Sequence, residues 1–281
     1  MMNRRKWLQS STLLAAGTAL GTGQTAEARV KSPGDHKPLI VMVHGAFHWG
    51  GCFEKVANLL AQSGYPVATP DNRSHGYDAT AYNAIKDMGD YCAPVERIVA
   101  TAKSPVVLLG HSLGGVTLTY LGEKYSEKIR RLIYLTAIMC PSGESFLSYM
   151  PPERSAKFGF LPIFDSAGPA DGVTLKVSDP ELVRSAFYAD CSDHDFHIAM
   201  ANINPTNCLV PLQWKSAITP HRFGSIPRTY IETSEDRTLP PALQRQFQTD
   251  VPGAKVRTLA ASHWPFFSQP EVLADLIMQL A

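Results

Sequence analysis

The residues best suited to chemistry lie together in Gly110-His111-Ser112-Leu113-Gly114-Gly115, a G-x-S-x-G pattern. An apolar run, Pro105-Val106-Val107-Leu108-Leu109, precedes them, and helical spacing from Leu113 to about Tyr125 follows. A serine at such a strand-to-helix turn sits on strained backbone, with its hydroxyl raised above the sheet edge near the positive end of the next helix. A serine hydroxyl is a weak nucleophile at neutral pH, so it needs a base to take its proton and a carboxylate to orient that base. His263, within Ala261-Ser262-His263-Trp264-Pro265-Phe266-Phe267, follows the last apolar run and is the base candidate. His44 and His111 belong to glycine motifs, and His194, His197 and His221 fall where no regular pattern holds. For the carboxylate, Thr233-Ser234-Glu235-Asp236-Arg237 offers two neighbours, and residue type alone does not choose between Glu235 and Asp236. The anion formed on attack needs two backbone N–H donors, each worth roughly 3 kcal/mol. Leu113 supplies one by following the serine, and the loop His44-Gly45-Ala46-Phe47 supplies the other at Ala46, with Phe47 in reserve.

These groups meet only if several strands end at one edge, and the pattern along the chain provides that. Short apolar runs alternate with longer amphipathic segments from Pro38 onward, which is the mark of βαβ units and a mostly parallel sheet flanked by helices. About six strands are expected: Leu39 to Val43, Pro66 to Thr69, Pro105 to Leu109, Arg131 to Leu135, Arg228 to Ile231 and Lys255 to Leu259. Helices are expected around Val56 to Gly64, around Val95 to Val99, after Leu113, and from Glu271 to Leu280 with Val272, Leu273, Leu276, Ile277 and Leu280 on the apolar face. Between residues 137 and 225 the alternation fails and Pro, Gly and aromatic residues become frequent. That stretch is read as an inserted cap on a core made of residues 29–136 and 226–281.

A chain of 281 residues suits one large domain with such an insertion. Its 44% hydrophobic and 18% charged residues are ordinary for a globular protein, which sets disorder and collagenous repeats aside. The formal charge is +1, and the first 28 residues hold Arg4, Arg5 and Lys6 against only Glu27, which leaves −1 for the remainder. The near-neutral remainder argues against nucleic acid or an anionic membrane surface as partner. The amino terminus reads as an address: a basic start, a mildly apolar stretch from Ser10 to Leu20, and Ala26-Glu27-Ala28 as a cleavage site. Arg4-Arg5 resembles a bacterial twin-arginine signal, with Asn3, Trp7 and Gln9 departing from its usual residues, so residues 1–28 are expected to direct the chain to the periplasm or beyond. The apolar stretch is too short to span a membrane. Five cysteines, Cys52, Cys92, Cys140, Cys191 and Cys208, leave either a Cys191–Cys208 staple in the cap or buried free thiols. None has metal-ligand spacing, and Gly50-Gly51 lacks the pattern of a phosphate cradle.

Val43-His44-Gly45-Ala46, the Gly-His-Ser-Leu-Gly-Gly run, Thr233 to Asp236, and Ser262-His263 with Ser268-Gln269-Pro270 together resemble the α/β-hydrolase superfamily. Within it the chain resembles the branch of small esterases and hydroxynitrile lyases that includes plant methyl-ester esterases. The resemblance implies an α/β-hydrolase fold, no cofactor, and a triad of Ser112, Asp236 and His263, thereby preferring Asp236 over Glu235. Lyase members carry a threonine where this chain has Gly45 and a lysine where it has Trp264, so hydrolysis is the expected reaction. The expectation is cleavage of a small carboxylic ester through an acyl-enzyme on Ser112, with lactone, amide or carbon–carbon hydrolysis using the same triad as alternatives. A lyase, or a ligand-binding homologue without turnover, stands further off. Phe47, Phe187 and Trp264 are assigned to the substrate. Met150, Phe158, Phe160, Phe164, Phe187, Phe196, Met200 and Trp214 are candidates for an apolar wall, of which only two or three should touch the substrate.

Replacing Arg4 and Arg5 together by lysine is expected to leave unprocessed protein in the cytoplasm. Fractionation showing normal export of that variant would exclude the twin-arginine route.

Overall fold

The computed structural model describes residues 37–158, 164–165 and 172–281; residues 1–28, expected to be a targeting segment, and Phe160 lie outside the described residues. Strands β1 (Ile40–Val43), β2 (Val67–Ala68), β3 (Val106–His111), β4 (Ile129–Leu135), β8 (Arg228–Thr233) and β9 (Ala254–Leu259) form one sheet in the order β2-β1-β3-β4-β8-β9. Every pairing in it is parallel. Near-continuous apolar runs explain this, because β1 and β3 are buried along their whole length and must be covered on both faces.

Alternation along the strands feeds two cores. Val41, Val43, Leu108, Leu132 and Tyr230 face one side with α2 (Met88–Thr101), α3 (Gly114–Lys124) and α9 (Pro241–Asp250), while Ile40, Met42, Val107, Leu109 and Ile231 face the other with α1 (Glu54–Gln62) and α11 (Pro270–Leu280). On α11 the buried stripe is Leu273, Ala274, Ile277 and Leu280, whereas Val272 is exposed. Sequence spacing placed Val272 on the apolar face, but at 100° per residue the stripe centred on Leu273 and Ile277 turns it outward. Helix α9 escaped the sequence reading because its interior packing rests on little more than Leu243 and Phe247, four residues apart.

Between β4 and β8 the chain builds short helices and a second, antiparallel sheet. These are α4 (Phe146–Tyr149), α5 (Pro152–Phe158), β5 (Phe164–Asp165), β6 (Gly172–Leu175), α6 (Pro180–Phe187), α7 (Asp193–Asn202), β7 (Thr206–Cys208) and α8 (Val210–Gln213), with sheet order β5-β6-β7. Strands of two to four residues are too short to show a period in the sequence. The proposed staple is absent: all five cysteines are free and buried, with Cys191 in one core and Cys208 in the other. Burial pushes their thiols up, that of Cys208 to about 11, so they act as apolar filler.

The two glycines flanking Ser112 are required by close approach. A Cβ on Gly114 would meet the Val43 carbonyl oxygen at 2.5 Å, and one on Gly110 would meet the Gly114 carbonyl oxygen at 2.7 Å. Gly114→Ala and Gly110→Ala are each expected to cost about 1–3 kcal/mol of stability through overpacking. Thermal unfolding of either variant at the wild-type midpoint would contradict that packing.

Candidate active site

All five strands that build the site end at the same edge of the sheet. The chain runs from β1 outward to β2 and returns across β1 to β3, so a crevice opens between β1 and β3, where ligands collect in such sheets. Ser112 follows β3 there, with φ of 51°, the left-handed region that an L-residue occupies only under constraint. The constraint is visible: its N–H donates to the Leu135 carbonyl at 3.3 Å, and its carbonyl accepts from Gly115 at 3.1 Å and Ile138 at 2.9 Å.

From the loop after β9 comes His263, and from the loop after β8 comes Asp236. His263 Nδ1 donates to Asp236 Oδ2 at 2.6 Å, with both side chains buried. That oxygen also accepts from the Thr136 hydroxyl at 2.5 Å and the Thr233 hydroxyl at 3.2 Å, while Oδ1 accepts from the backbone N–H groups of Thr238 at 2.7 Å and Leu239 at 2.8 Å. Because Nδ1 donates, Nε2 carries the lone pair. Among the described residues it has no hydrogen-bond partner, and it belongs to a residue lining the same cavity as Ser112. Glu235 is exposed, and its backbone N–H pairs with the Ala261 carbonyl, so of the two neighbouring carboxylates the structure brings only Asp236 to the imidazole.

The other histidines are engaged or remote. His44 Nδ1 donates to the Gly45 carbonyl and its Nε2 accepts from the Asn72 N–H at 3.0 Å; burial lowers its pKa to about 3, which keeps it neutral. Burial likewise holds His111 well below the ordinary range, and its Nε2 donates to the His263 carbonyl at 2.8 Å. These contacts set the two loops: His44 shapes the one carrying Ala46, and His111 braces the one carrying His263. Ala46 and Leu113 both line the cavity, and among the described residues neither backbone N–H donates to another group in the surrounding turns. Phe47, next to Ala46, also has a positive φ, of 65°, and its carbonyl accepts from Asn204 of the insertion at 2.8 Å.

The cavity opens to solvent, and Phe47, Phe146, Phe164, Phe187, Leu212 and Trp264 are among its walls. Phe47, Phe187 and Trp264, assigned to the substrate from the sequence, all line this cavity, and Phe164 does too. Met150, Phe196, Met200 and Trp214 do not reach this cavity, because they fill the packing of the insertion and its seat: Phe196 lies against Tyr188, and Trp214 packs edge-on to Tyr120. Sequence reasoning missed Thr136 and His48. Thr136 directly follows the apolar run of β4, and its place at that strand end was the available signal. His48 stacks on Trp264 with ring centroids 3.5 Å apart, donates from Nδ1 to the Ala46 carbonyl at 3.0 Å and accepts from the Tyr188 hydroxyl, a convergence of three distant segments that no local pattern reveals. Among the described residues no group of His, Cys, Asp and Glu is arranged to hold a metal ion.

The sequence pattern of the Alpha/beta hydrolase family matches residues 40–276. The chain belongs to the α/β-hydrolase family. It is 35% identical over 246 residues to the pyrethroid hydrolase of Sphingobium wenxiniae, covering 86% of this chain and 87% of that one. It is 29% identical over 253 residues to salicylic acid-binding protein 2 of Nicotiana tabacum, covering 86% and 96% respectively. The crystal structure of a pyrethroid hydrolase from Sphingobium faniae superposes with a TM-score of 0.78 at 32% identity, over 86% of this chain and 96% of that one. This α/β-hydrolase is accordingly a serine hydrolase of the carboxylesterase class. Gly45 also has a steric role in it: a Cβ there would lie 2.8 Å from Ser112 Cβ and 3.0 Å from His111 Nδ1, so a larger residue would crowd the nucleophile turn.

Asp236→Asn is expected to lower kcat by roughly 10⁴, because an amide presents the wrong partner to Nδ1 and favours the wrong tautomer. Glu235→Gln should leave kcat near the wild-type value. Steady-state kinetics giving the reverse order would reassign the acid to Glu235.

Proposed function

We propose that this chain hydrolyses a small, predominantly apolar carboxylic ester through an acyl-enzyme on Ser112. The observation that carries the reading is the unpartnered, buried Nε2 of His263, fixed as a lone-pair acceptor by Asp236 and lining the cavity that Ser112 lines. Substrate enters beneath the insertion with its carbonyl over Ser112. His263 Nε2 takes the hydroxyl proton as Oγ attacks the carbonyl carbon, and the Asp236 carboxylate stabilises the imidazolium that forms. The carbonyl oxygen becomes an oxyanion, held by the N–H groups of Ala46 and Leu113. His263 returns the proton to the departing alkoxide, which leaves as the alcohol. Water then attacks the acyl-enzyme by the same route, releasing the acid and restoring Ser112.

The aromatic and aliphatic walls support an ester with apolar groups on at least one side of the carbonyl. The names of the relatives, a pyrethroid hydrolase and plant methylesterases, point toward such esters as well. The paired arginines and Ala26-Glu27-Ala28 support action outside the cytoplasm.

Ser112→Ala and His263→Ala are each expected to lower kcat by roughly 10⁴ to 10⁶, with the double variant scarcely worse than either, since attack and proton removal are one event. A fluorophosphonate should label the wild type stoichiometrically on Ser112. Ester turnover near the wild-type level in folded Ser112→Ala would overturn the mechanism.

A further inference from the structure

The turn joining α6 to α7 bonds directly to the loop that carries His263. Asp190, in that turn, accepts from the Ser262 backbone N–H at 2.9 Å and from the Ser268 hydroxyl at 2.9 Å, and the Ser262 hydroxyl donates to its other oxygen. Ser262 immediately precedes His263, and Ser268 closes α10 (Pro265–Ser268), so one carboxylate grips both ends of the segment holding the base. On the inner side the same segment is braced by the bond from His111 to the His263 carbonyl. Two further contacts run from this part of the insertion to the triad. The Phe187 ring at the end of α6 lies nearly parallel to the His263 ring, with centroids 5.7 Å apart and planes at 21°. The Thr238 hydroxyl, beside Asp236, donates to the Ala186 carbonyl at 2.9 Å.

We propose that Asp190 is a positioning residue for ester hydrolysis: from the insertion, it fixes the His263 loop so that Nε2 stays directed into the cavity beside Ser112. The proposal rests on the assignment of His263 as the base. Asp190 itself does not line the cavity and touches no reacting atom. Its means are charge-assisted hydrogen bonds, which are stronger and more directional than the water contacts that would replace them. A base is sensitive to such restraint, since a displacement of about 1 Å can cost up to 10²-fold in rate. The insertion thereby does two things with one segment, because α6 supplies Phe187 to the cavity wall while the turn after it holds the base.

The competing possibility is that Asp190 only fastens the insertion to the core. Loosening the insertion would then disturb the cavity wall and raise KM, leaving kcat and its pH profile unchanged. The test is kcat and KM for one p-nitrophenyl ester across pH, for wild type, Asp190→Ala, Asp190→Asn, Ser268→Ala and Asp190→Ala/Ser268→Ala. Asp190→Ala is expected to lower kcat roughly tenfold to a hundredfold with KM within about twofold of wild type. The acid limb of kcat should move to lower pH, because a looser Asp236–His263 contact stabilises the imidazolium less. The other titratable neighbours of His263, His111 and His48, are held neutral by burial and do not contribute to that limb. Asp190→Asn keeps the shape and one good acceptor, so it should recover part of the loss, and the double variant should match Asp190→Ala. A raised KM with unchanged kcat and acid limb, or losses that multiply in the double variant, would overturn the proposal. Should Asp190→Ala fail to fold, Asp190→Asn and Ser268→Ala carry the test: a smaller drop in kcat with the same shift supports the proposal, and wild-type profiles in both overturn it. His263→Ala separates the two levels. Turnover retained there removes the base itself, whereas turnover lost there and intact in folded Asp190→Ala removes only the role of Asp190.

Discussion

A buried carboxylate is costly unless its oxygens are satisfied, and the satisfaction of Asp236 organises the site. It accepts from His263, Thr136, Thr233 and the backbone N–H groups of Thr238 and Leu239. Those donors come from the ends of β4 and β8, from the loop after β8 and from the loop after β9. They converge only because β4, β8 and β9 are adjacent and parallel, so that all three end on one side. The orientation of the imidazole follows: with Nδ1 committed to Asp236, Nε2 is left as the basic nitrogen of a histidine that lines the cavity.

The other half of the site is built from strained backbone. Ser112, Phe47 and Thr136 all have positive φ, each just beyond the end of a strand or in the loop that follows it. Such residues cost energy that the surrounding structure must hold in place. Here the restraints are specific: the Leu135 and Ile138 bonds at Ser112, the Asn204 bond at Phe47, and the bond from Thr136 N–H to the Ile231 carbonyl at 2.8 Å. Parallel strands, buried on both faces, give a rigid base on which this strain persists.

The insertion adds a wall and a brace. Its aromatic side chains divide into those that face the cavity, such as Phe164 and Phe187, and those that pack elsewhere, Phe196 against Tyr188 within the insertion and Trp214 against Tyr120 of the core. Composition is the same in both groups, so hydrophobicity alone could not separate them. The same holds for Cys191 and Cys208, which are close in sequence yet belong to cores on opposite faces of the sheet.

What the sequence determined by itself was whatever is encoded locally. Strands β1 and β3 were legible because Ile40–Val43 and Val106–Leu109 are continuous apolar runs, the other strands from shorter apolar stretches between turns, and Ser112 was legible because its glycines are demanded by contacts a few atoms away, against Val43 and within the turn. His263 could be placed because it follows the last strand, and parallel strands must all end together. Tertiary structure alone decided what depends on residues far apart in the chain. Glu235 and Asp236 have nearly the same local surroundings, and only the approach of Thr136, one hundred positions earlier, and His263 distinguishes them. His48 under Trp264 and Asp190 against Ser262 are likewise meetings of distant segments. Sequence periodicity reports which face of an element is buried; it carries no record of which buried faces meet, and in this protein the chemistry resides in those meetings.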